Sequence, residues 1–137
     1  HYDLPGAIGA LTRETEQSTG CKIERQIEQL PSQLSTLQKR LLFQTLQEGI
    51  TTALKRKEPA RRFRLSISFD RREETVRLKL SDDGRPMRAD DWGIGIRALA
   101  EQADRLGGQL TAEATQEGNR LMLTIPAAHG GASSWII

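Results

Sequence analysis

The sequence has 137 residues, of which 36% are hydrophobic and 28% charged, and it carries a formal net charge of +2. This length suits one globular domain with an ordinary core, and so small a charge does not by itself indicate nucleic-acid binding. The single cysteine, Cys21, excludes an internal disulfide and a multi-cysteine metal site. No apolar run reaches membrane length and no signal pattern opens the chain, so a reduced, cytoplasmic location is expected.

The first half of the chain predicts a helix, a short strand and a long helix. Residues 4–19 have helical spacing, and Gly20 is a typical helix stop. Residues 21–27 alternate between apolar and polar, which predicts a short strand at a sheet edge. A long helix is expected from about residue 35 to residue 57, with apolar residues three and four apart at Leu37, Leu41, Leu42, Leu46, Ile50, Ala53 and Leu54.

The second half predicts two hairpins separated by a loop and a helix. The strands are indicated by alternating apolar residues, and the helix by apolar steps that end at Gly107 and Gly108. The expected segments are strands 63–69 and 75–81, a lid-like loop 85–92, a helix 95–106, and strands 109–115 and 120–126. This order predicts an α/β two-layer sandwich, with helices packed on one face of a mostly antiparallel mixed sheet.

An acidic pair ends the second strand of the first hairpin. Asp82 follows an apolar strand, where a carboxylate needs a partner if buried and can accept a hydrogen bond from an exocyclic amine such as that of adenine. Gly84 allows a sharp turn beside it. The alternative is that Asp82 only caps the Asp-Asp-Gly bend. Asp83 is expected to belong to the turn or to face solvent.

Gly93 and Gly95 stand at the start of the next predicted helix. Free amides and the positive end of the helix dipole suit a phosphate at this position. The alternative is a loop-to-helix junction that is merely shaped by glycine, because two glycines alone are a weak signal. Trp92 is left with two placements, packed against the loop or exposed, and is assigned no chemistry.

Three polar residues of the long helix share one face. Glu48, Thr52 and Lys55 stand at positions i, i+4 and i+7, opposite the stripe that contains Leu46 and Ile50. This face either lines a ligand pocket or is simply solvated.

The remaining chemistry-bearing residues have no site context. Cys21 is expected to be a small packing residue, and His1 and His129 lack the surroundings of a phosphoacceptor or a metal ligand. The basic residues between positions 55 and 64 are interpreted as a solvated surface rather than a nucleic-acid patch.

Ordered motifs between about residues 34 and 126 resemble the ATP-binding catalytic domain of sensor histidine kinases. More narrowly, they resemble the branch whose partner regulators carry a helix-turn-helix output domain. Residues 47–55 resemble the family's helix motif, and residues 80–85 its adenine-contacting box. Residues 93–103 and 106–110 resemble its second glycine box, and residues 117–119 with 123–126 its closing hairpin. The resemblance implies the Bergerat ATP-binding fold.

The resemblance also implies an activity, protein-histidine kinase, with ATP as substrate and Mg²⁺ as cofactor. The γ-phosphate would pass to a histidine on an upstream dimerisation domain. The residues assigned by this likeness are Glu48 for assisting transfer, Asp82, Gly84 and Asn119 for adenine, Gly93, Gly95 and Ile96 for the phosphate and lid region, Lys55 for a phosphate, and Thr52 at the position of the family's magnesium-binding Asn.

A domain division and a set of partners follow from the same likeness. Residues 1–20 are expected to end a preceding dimerisation-type helix, residues 21–127 to form the catalytic domain, and residues 128–137 to form a flexible tail. A start without Met indicates a fragment of a longer, homodimeric protein. A response regulator is the expected indirect partner, with no direct nucleic-acid or membrane contact from this fragment.

Four positions depart from the family pattern. Thr52 replaces the magnesium-binding Asn, Arg56 a His, Pro86 the second glycine of the adenine box, and Asn119 a Thr. These changes affect metal binding and loop geometry more than the adenine pocket. Two alternatives therefore stay open: a degenerate kinase-like domain with weak or no phosphotransfer that acts as a signalling or interaction module, and an anti-sigma-type binder built on a kinase-like ATPase fold.

Overall fold

Alternating apolar residues build one sheet, and helical stripes cover one of its faces. The computed structural model describes residues 3–127, and His1, His129 and the predicted tail 128–137 lie outside that range. The elements in chain order are α1 (Leu4–Thr19), β1 (Lys22–Ile27), α2 (Thr36–Leu54), β2 (Arg62–Asp70), β3 (Thr75–Asp82), a short 3₁₀ helix (Ala89–Trp92), α3 (Gly93–Arg105), β4 (Gln109–Ala114) and β5 (Asn119–Pro126).

The five strands form one mixed sheet in the order β1-β2-β3-β5-β4. β1 pairs with β2 in parallel at the edge, and the other pairs are antiparallel. The central register aligns Leu65 with Leu80 and Leu80 with Leu121, and all three side chains are buried under the helices. The predicted α/β two-layer sandwich with a mostly antiparallel mixed sheet is confirmed.

The long helix α2 is fixed at both ends. Ser35 and Gln38 form a capping box, and the Gln38 side-chain amide also donates to the carbonyl of Pro126 at 2.7 Å. The helix ends at Leu54, three residues before the predicted end at residue 57. It ends there because Pro59 disfavours helical conformation before it, and the amide of Ala60 bonds back to Ala53.

Helix α1 packs into the same core as the sheet. Asp3 caps its start by accepting from the amide of Gly6, and the left-handed Gly20 ends it. Leu4, Ile8 and Thr12 are buried. The predicted division at residue 20 stays a prediction.

Four segments differ from the sequence-based expectation near the predicted site. The loop 85–92 contains the 3₁₀ helix, and Trp92 at its end is buried rather than exposed. α3 begins at Gly93, two residues early. β3 and β5 each extend one residue, to Asp82 and Asn119, because these two residues pair in register. No helix within residues 3–127 is long and apolar enough to cross a membrane.

Candidate nucleotide site

Asp82 and Asn119 face each other where β3 ends and β5 begins. Side chains alternate along a strand, so Asp82 lies on the same face as Leu80, and Asn119 on the same face as Leu121. That face is the one covered by the helices. Asn119 is only 1% exposed, and Asp82 is half-buried. The pairing therefore places a carboxylate and an amide at the edge of the core, between the sheet and the helical layer.

The Asp82 carboxylate uses one oxygen within the protein and leaves the other unpaired. Oδ1 accepts from the amide of Gly84 at 2.8 Å and from Nδ2 of Asn119 at 3.2 Å. No group among residues 3–127 hydrogen-bonds Oδ2. The two interpretations of Asp82 therefore coexist, because Oδ1 caps the turn while Oδ2 can still accept from a ligand. Desolvation raises the pKa of Asp82 above its ordinary value of 3.8, against the lowering effect of the bonds from Asn119 and Gly84.

Asp83 has a structural role that the sequence did not indicate. Its Oδ1 accepts from the backbone amides of Arg61 and Arg62 at 2.8 and 3.0 Å, which ties the turn to the start of β2. Desolvation raises the pKa of Asp83, but these backbone hydrogen bonds outweigh it and hold the pKa below 3.8. Asp83 thus lies exposed in the turn, as expected, and its carboxylate also anchors the turn to β2.

The loop after Gly84 is held by hydrogen bonds to the residues on both sides of Pro86. The carbonyl of Arg85 accepts from Nδ2 of Asn119 at 3.0 Å and from Nη1 of Arg56 at 2.8 Å. The amide of Met87 donates to Oδ1 of Asn119 at 2.8 Å. Because these bonds use the groups that flank Pro86, the missing amide of proline removes none of them. Met87 was not singled out in the sequence, and no local pattern there indicates its role.

Gly118 allows the hairpin β4–β5 to approach this turn. Its φ is +156°, and a Cβ at this position would collide with the carbonyl oxygen of Asp82. Gly118 belongs to the predicted closing hairpin, where its sequence context indicates no separate role. Its role follows from the register that brings it beside Asp82.

A second cluster joins α2 to the start of α3. The Glu48 carboxylate lies so close to Gly95 that a Cβ on Gly95 would be 2.5 Å from Oε2. The hydroxyl of Thr52 points at the same oxygen, at a long 3.5 Å. Glu48, Thr52 and Gly95 are thus brought together, as the predicted site requires.

Gly49 connects the two clusters. A Cβ on Gly49 would be 2.8 Å from Leu80 and 2.9 Å from Leu121, so α2 lies directly against β3 and β5 there. Leu80 and Leu121 stand two residues from Asp82 and Asn119. Glu48, the neighbour of Gly49, is therefore carried on the helix that crosses the two strands near the Asp82 turn.

The other predicted site residues have different surroundings. Gly93 has φ +78°, which favours glycine at the entry to α3. Ile96 is 5% exposed and belongs to the core, whereas its neighbour Ile94 is 82% exposed. Lys55 is exposed at the C-terminal cap of α2. The roles of Ile96 and Lys55 toward a nucleotide stay predictions.

Residues 3–127 contain no group of three or more His, Cys, Asp or Glu side chains that could enclose a metal ion. Mg²⁺ usually keeps several waters and is held by one or two carboxylates together with substrate phosphates. The Glu48 carboxylate and the Thr52 hydroxyl are oxygen ligands of the kind that such a site uses. The donor set therefore fits a magnesium ion that enters with its phosphates.

A groove of about 570 Å³ begins at the same turn, because Asp82 and Asp83 line it together with charged residues of β1, β2, β4 and β5. Two of its four cations are paired: Arg64 with Glu24 at 3.2 Å, and Arg120 with Glu113. Charges of both signs line this groove, so it does not resemble a phosphate site.

Comparison with solved structures identifies the class of fold to which this chain belongs. No family model and no curated protein matches the sequence. The solved histidine kinase domain of the blue-light activated kinase EL346 from Erythrobacter litoralis matches with a TM-score of 0.74 and 21% identity, over 90% of this chain and 61% of that chain. The histidine kinase AdeS from Acinetobacter baumannii matches at 0.72 and 15%, over 92% and 66%.

A third solved structure, full-length ShkA in complex with AMPPNP, matches with a TM-score of 0.70 and 17% identity, over 91% of this chain and 30% of that chain. The chain thus spans between 30% and 66% of the length of these three proteins. At such identities the likeness is one of fold. The chain has the fold of a histidine kinase domain.

Proposed function

We propose that this chain is the ATP-binding catalytic domain of a sensor histidine kinase. It would transfer the γ-phosphate of ATP to a histidine on an upstream dimerisation domain. The observation that carries the proposal is the unpaired Oδ2 of Asp82, held at the end of β3 on a fold shared with histidine kinase domains. The solved complex of ShkA with AMPPNP, an ATP analogue, supports the same choice of ligand.

Asp82 would recognise the adenine base. Its ionised Oδ2 is an acceptor only, so it matches the exocyclic amine of adenine, which is a donor. It does not match the carbonyl that guanine or hypoxanthine presents at the corresponding position. A Cβ on Gly84 would be 3.0 Å from Oδ1 of Asp82, so the missing side chain allows the turn to stay close to this carboxylate.

Glu48 would act on the attacking histidine. During transfer, the nitrogen of that histidine forms a bond to the γ-phosphorus as the bond to the bridging oxygen breaks and ADP leaves. Glu48 would accept or polarise the proton of the attacking imidazole, and the absence of a side chain on Gly95 leaves the room that its carboxylate occupies. Bound Mg²⁺ supplies charge neutralisation at the phosphates. Catalysis of this kind consists mostly of positioning and electrostatic stabilisation.

Within this proposal, the start of α3 and Lys55 would face the phosphates. The intact protein would be a cytoplasmic, homodimeric kinase that serves a response regulator. The competing function is an interaction module with weak or no phosphotransfer. Thr52 favours it, because a hydroxyl stands where the related kinases carry an amide, and its bond to Glu48 is long.

Titration with a non-hydrolysable ATP analogue, with and without Mg²⁺, tests the proposal. We expect the wild type to bind the ATP analogue in a magnesium-dependent manner. It should bind the corresponding inosine analogue more weakly. Asp82→Asn keeps an oxygen for Gly84 and Asn119 but sets an NH₂ donor against the donor of adenine. A hydrogen bond to a charged group is worth about 1.5–3 kcal/mol, so this variant should bind the ATP analogue about 10- to 100-fold more weakly.

The stability of Asp82→Asn provides the control for that measurement. Because the turn-capping bonds survive and the desolvated charge is removed, its thermal midpoint should not fall below that of the wild type at pH 7. Absence of analogue binding by the wild type would refute the nucleotide-binding proposal. Binding without phosphorylation of a histidine in the intact protein would favour the interaction module.

A further inference from the structure

Asn119 uses nearly all of its hydrogen-bonding capacity inside the protein. Its carbonyl accepts from Met87, and its NH₂ donates to Asp82 and to the carbonyl of Arg85. At 1% exposure it has no surface left for a ligand. The family likeness assigns Asn119 to adenine, either directly or through water, and a direct contact would require these bonds to break.

The direction of these bonds fixes the amide orientation. The Met87 amide can only donate and the Arg85 carbonyl can only accept, so Nδ2 must point toward Asp82. Asp82 is therefore held with Oδ1 as the acceptor inside the protein, and Oδ2 is the oxygen that is left for a ligand. A proton on Asp82 would have to sit on Oδ2, where it would oppose an amine donor.

We propose that Asn119 is a positioning residue that sets the base preference of the site. It does so by reserving Oδ2 of Asp82 as an acceptor and by holding the Arg85–Met87 loop beside it, without touching the base. Only the identity of the base rests on the proposed nucleotide function. The hydrogen-bond arrangement can be measured without any ligand.

Asn119→Asp is the informative variant. It keeps an acceptor for the Met87 amide but replaces the donor toward Asp82 with a second carboxylate. The other charged groups that face Asp82 are Asp83 in the same turn and Arg56 from the end of α2. Two neighbouring carboxyl groups share a proton, so the upper apparent pKa of the pair should exceed the wild-type Asp82 value by at least about one unit.

Two measurements test this. Carboxyl-carbon NMR titration of the ligand-free protein should show the upward shift in Asn119→Asp, and the ATP analogue should bind about tenfold more weakly at pH 7. Gln116→Glu is the matched control, because it makes the same amide-to-carboxylate exchange at an exposed position of the same hairpin. It should change neither quantity.

The outcomes separate the two proposals. If the wild type binds the analogue and Asn119→Asp binds it equally, with an unshifted titration, the positioning role is overturned. If the wild type binds no nucleotide, the proposed function fails, and the titration alone still decides the role of Asn119.

Should Asn119→Asp not fold, the wild type suffices. Asn119 is the sole asparagine of the chain, so selective ¹⁵N labelling gives one side-chain amide pair. Its protons should exchange slowly and their shifts should follow the titration of Asp82. Fast exchange with no such response would overturn the inference.

Discussion

Two adjacent aspartates, Asp82 and Asp83, have opposite electrostatic surroundings. Asp82 has a raised pKa because burial is only partly offset, and Asp83 a lowered one because two backbone amides favour its charged form. A carboxyl group with a lowered pKa in the folded state stabilises the fold above its unfolded pKa, and that contribution is lost as the pH falls through the folded value. Asp82 has the opposite effect: because its pKa is raised in the folded state, its contribution to stability falls as the pH rises from the unfolded pKa through the folded pKa.

Asp83→Asn should therefore destabilise the protein at pH 7 but not in acid. The neutral amide is a weaker acceptor for Arg61 and Arg62 than the carboxylate, whereas the wild-type carboxyl itself takes up a proton as the pH falls through its lowered folded-state pKa. Thermal unfolding of both proteins from pH 7 down into acid measures the difference. Asp82→Asn is the matched control and should lose no stability at pH 7. An equal loss for Asp83→Asn at both ends of the range contradicts this assignment.

Some features of this site were predictable from the sequence, and others were not. The strand that ends at Asp82 and the helix near Gly93 were predictable because their apolar periods are local. The bonds Arg56–Arg85 and Met87–Asn119 join residues 29 and 32 positions apart. They depend on the register of β3 with β5 and on where α2 ends, and no sequence period encodes either. Asp83 was missed for the same reason.

At the scale of elements, the junction of α2 with α3 leaves no space for a side chain at Gly95. Gly95 lies against the Glu48 carboxylate, and its φ is not in the left-handed region, so its lack of a side chain serves space rather than backbone conformation. At Gly93, two residues earlier, glycine is favoured by backbone conformation and not by space. A Cβ there would meet no atom within 4 Å, but the φ of Gly93 is +78°. The two glycines that the sequence grouped together thus have separate physical reasons.

Gly95→Ala should impair transfer more than binding. The added methyl group displaces Glu48, and displacement of the proposed general base would forfeit part of the roughly 10²- to 10⁴-fold that such a group contributes. Autophosphorylation of the intact protein should fall tenfold or more, while affinity for the ATP analogue, which we propose is set by Asp82, should change little. Gly9→Ala in α1 is the control, because its methyl group meets only the flexible tip of Arg13. Unchanged transfer in Gly95→Ala would remove Glu48 from the mechanism.

At the scale of the whole molecule, one core supports both halves of the site. α2 contacts α1, α3, β3 and β5, so the helix that carries Glu48 also bears on the strands that carry Asp82 and Asn119. α1 joins this core through Ile8 and is tied to β1 by Glu16. The Glu16 carboxylate accepts from the amide of Ile23 at 2.9 Å, and this bond lowers its pKa, with Arg25 adding to the effect.

This packing predicts that α1 unfolds together with the sheet. Ile8 is fully buried, and truncation of such a side chain typically costs about 2–5 kcal/mol. Ile8→Ala should shift one cooperative urea transition, followed by circular dichroism, to lower denaturant with an unchanged slope. Leu37→Ala, at 56% exposure on α2, is the control and should change the free energy of unfolding by less than about 0.5 kcal/mol. A second, separate transition in Ile8→Ala would instead assign residues 1–20 to a preceding domain.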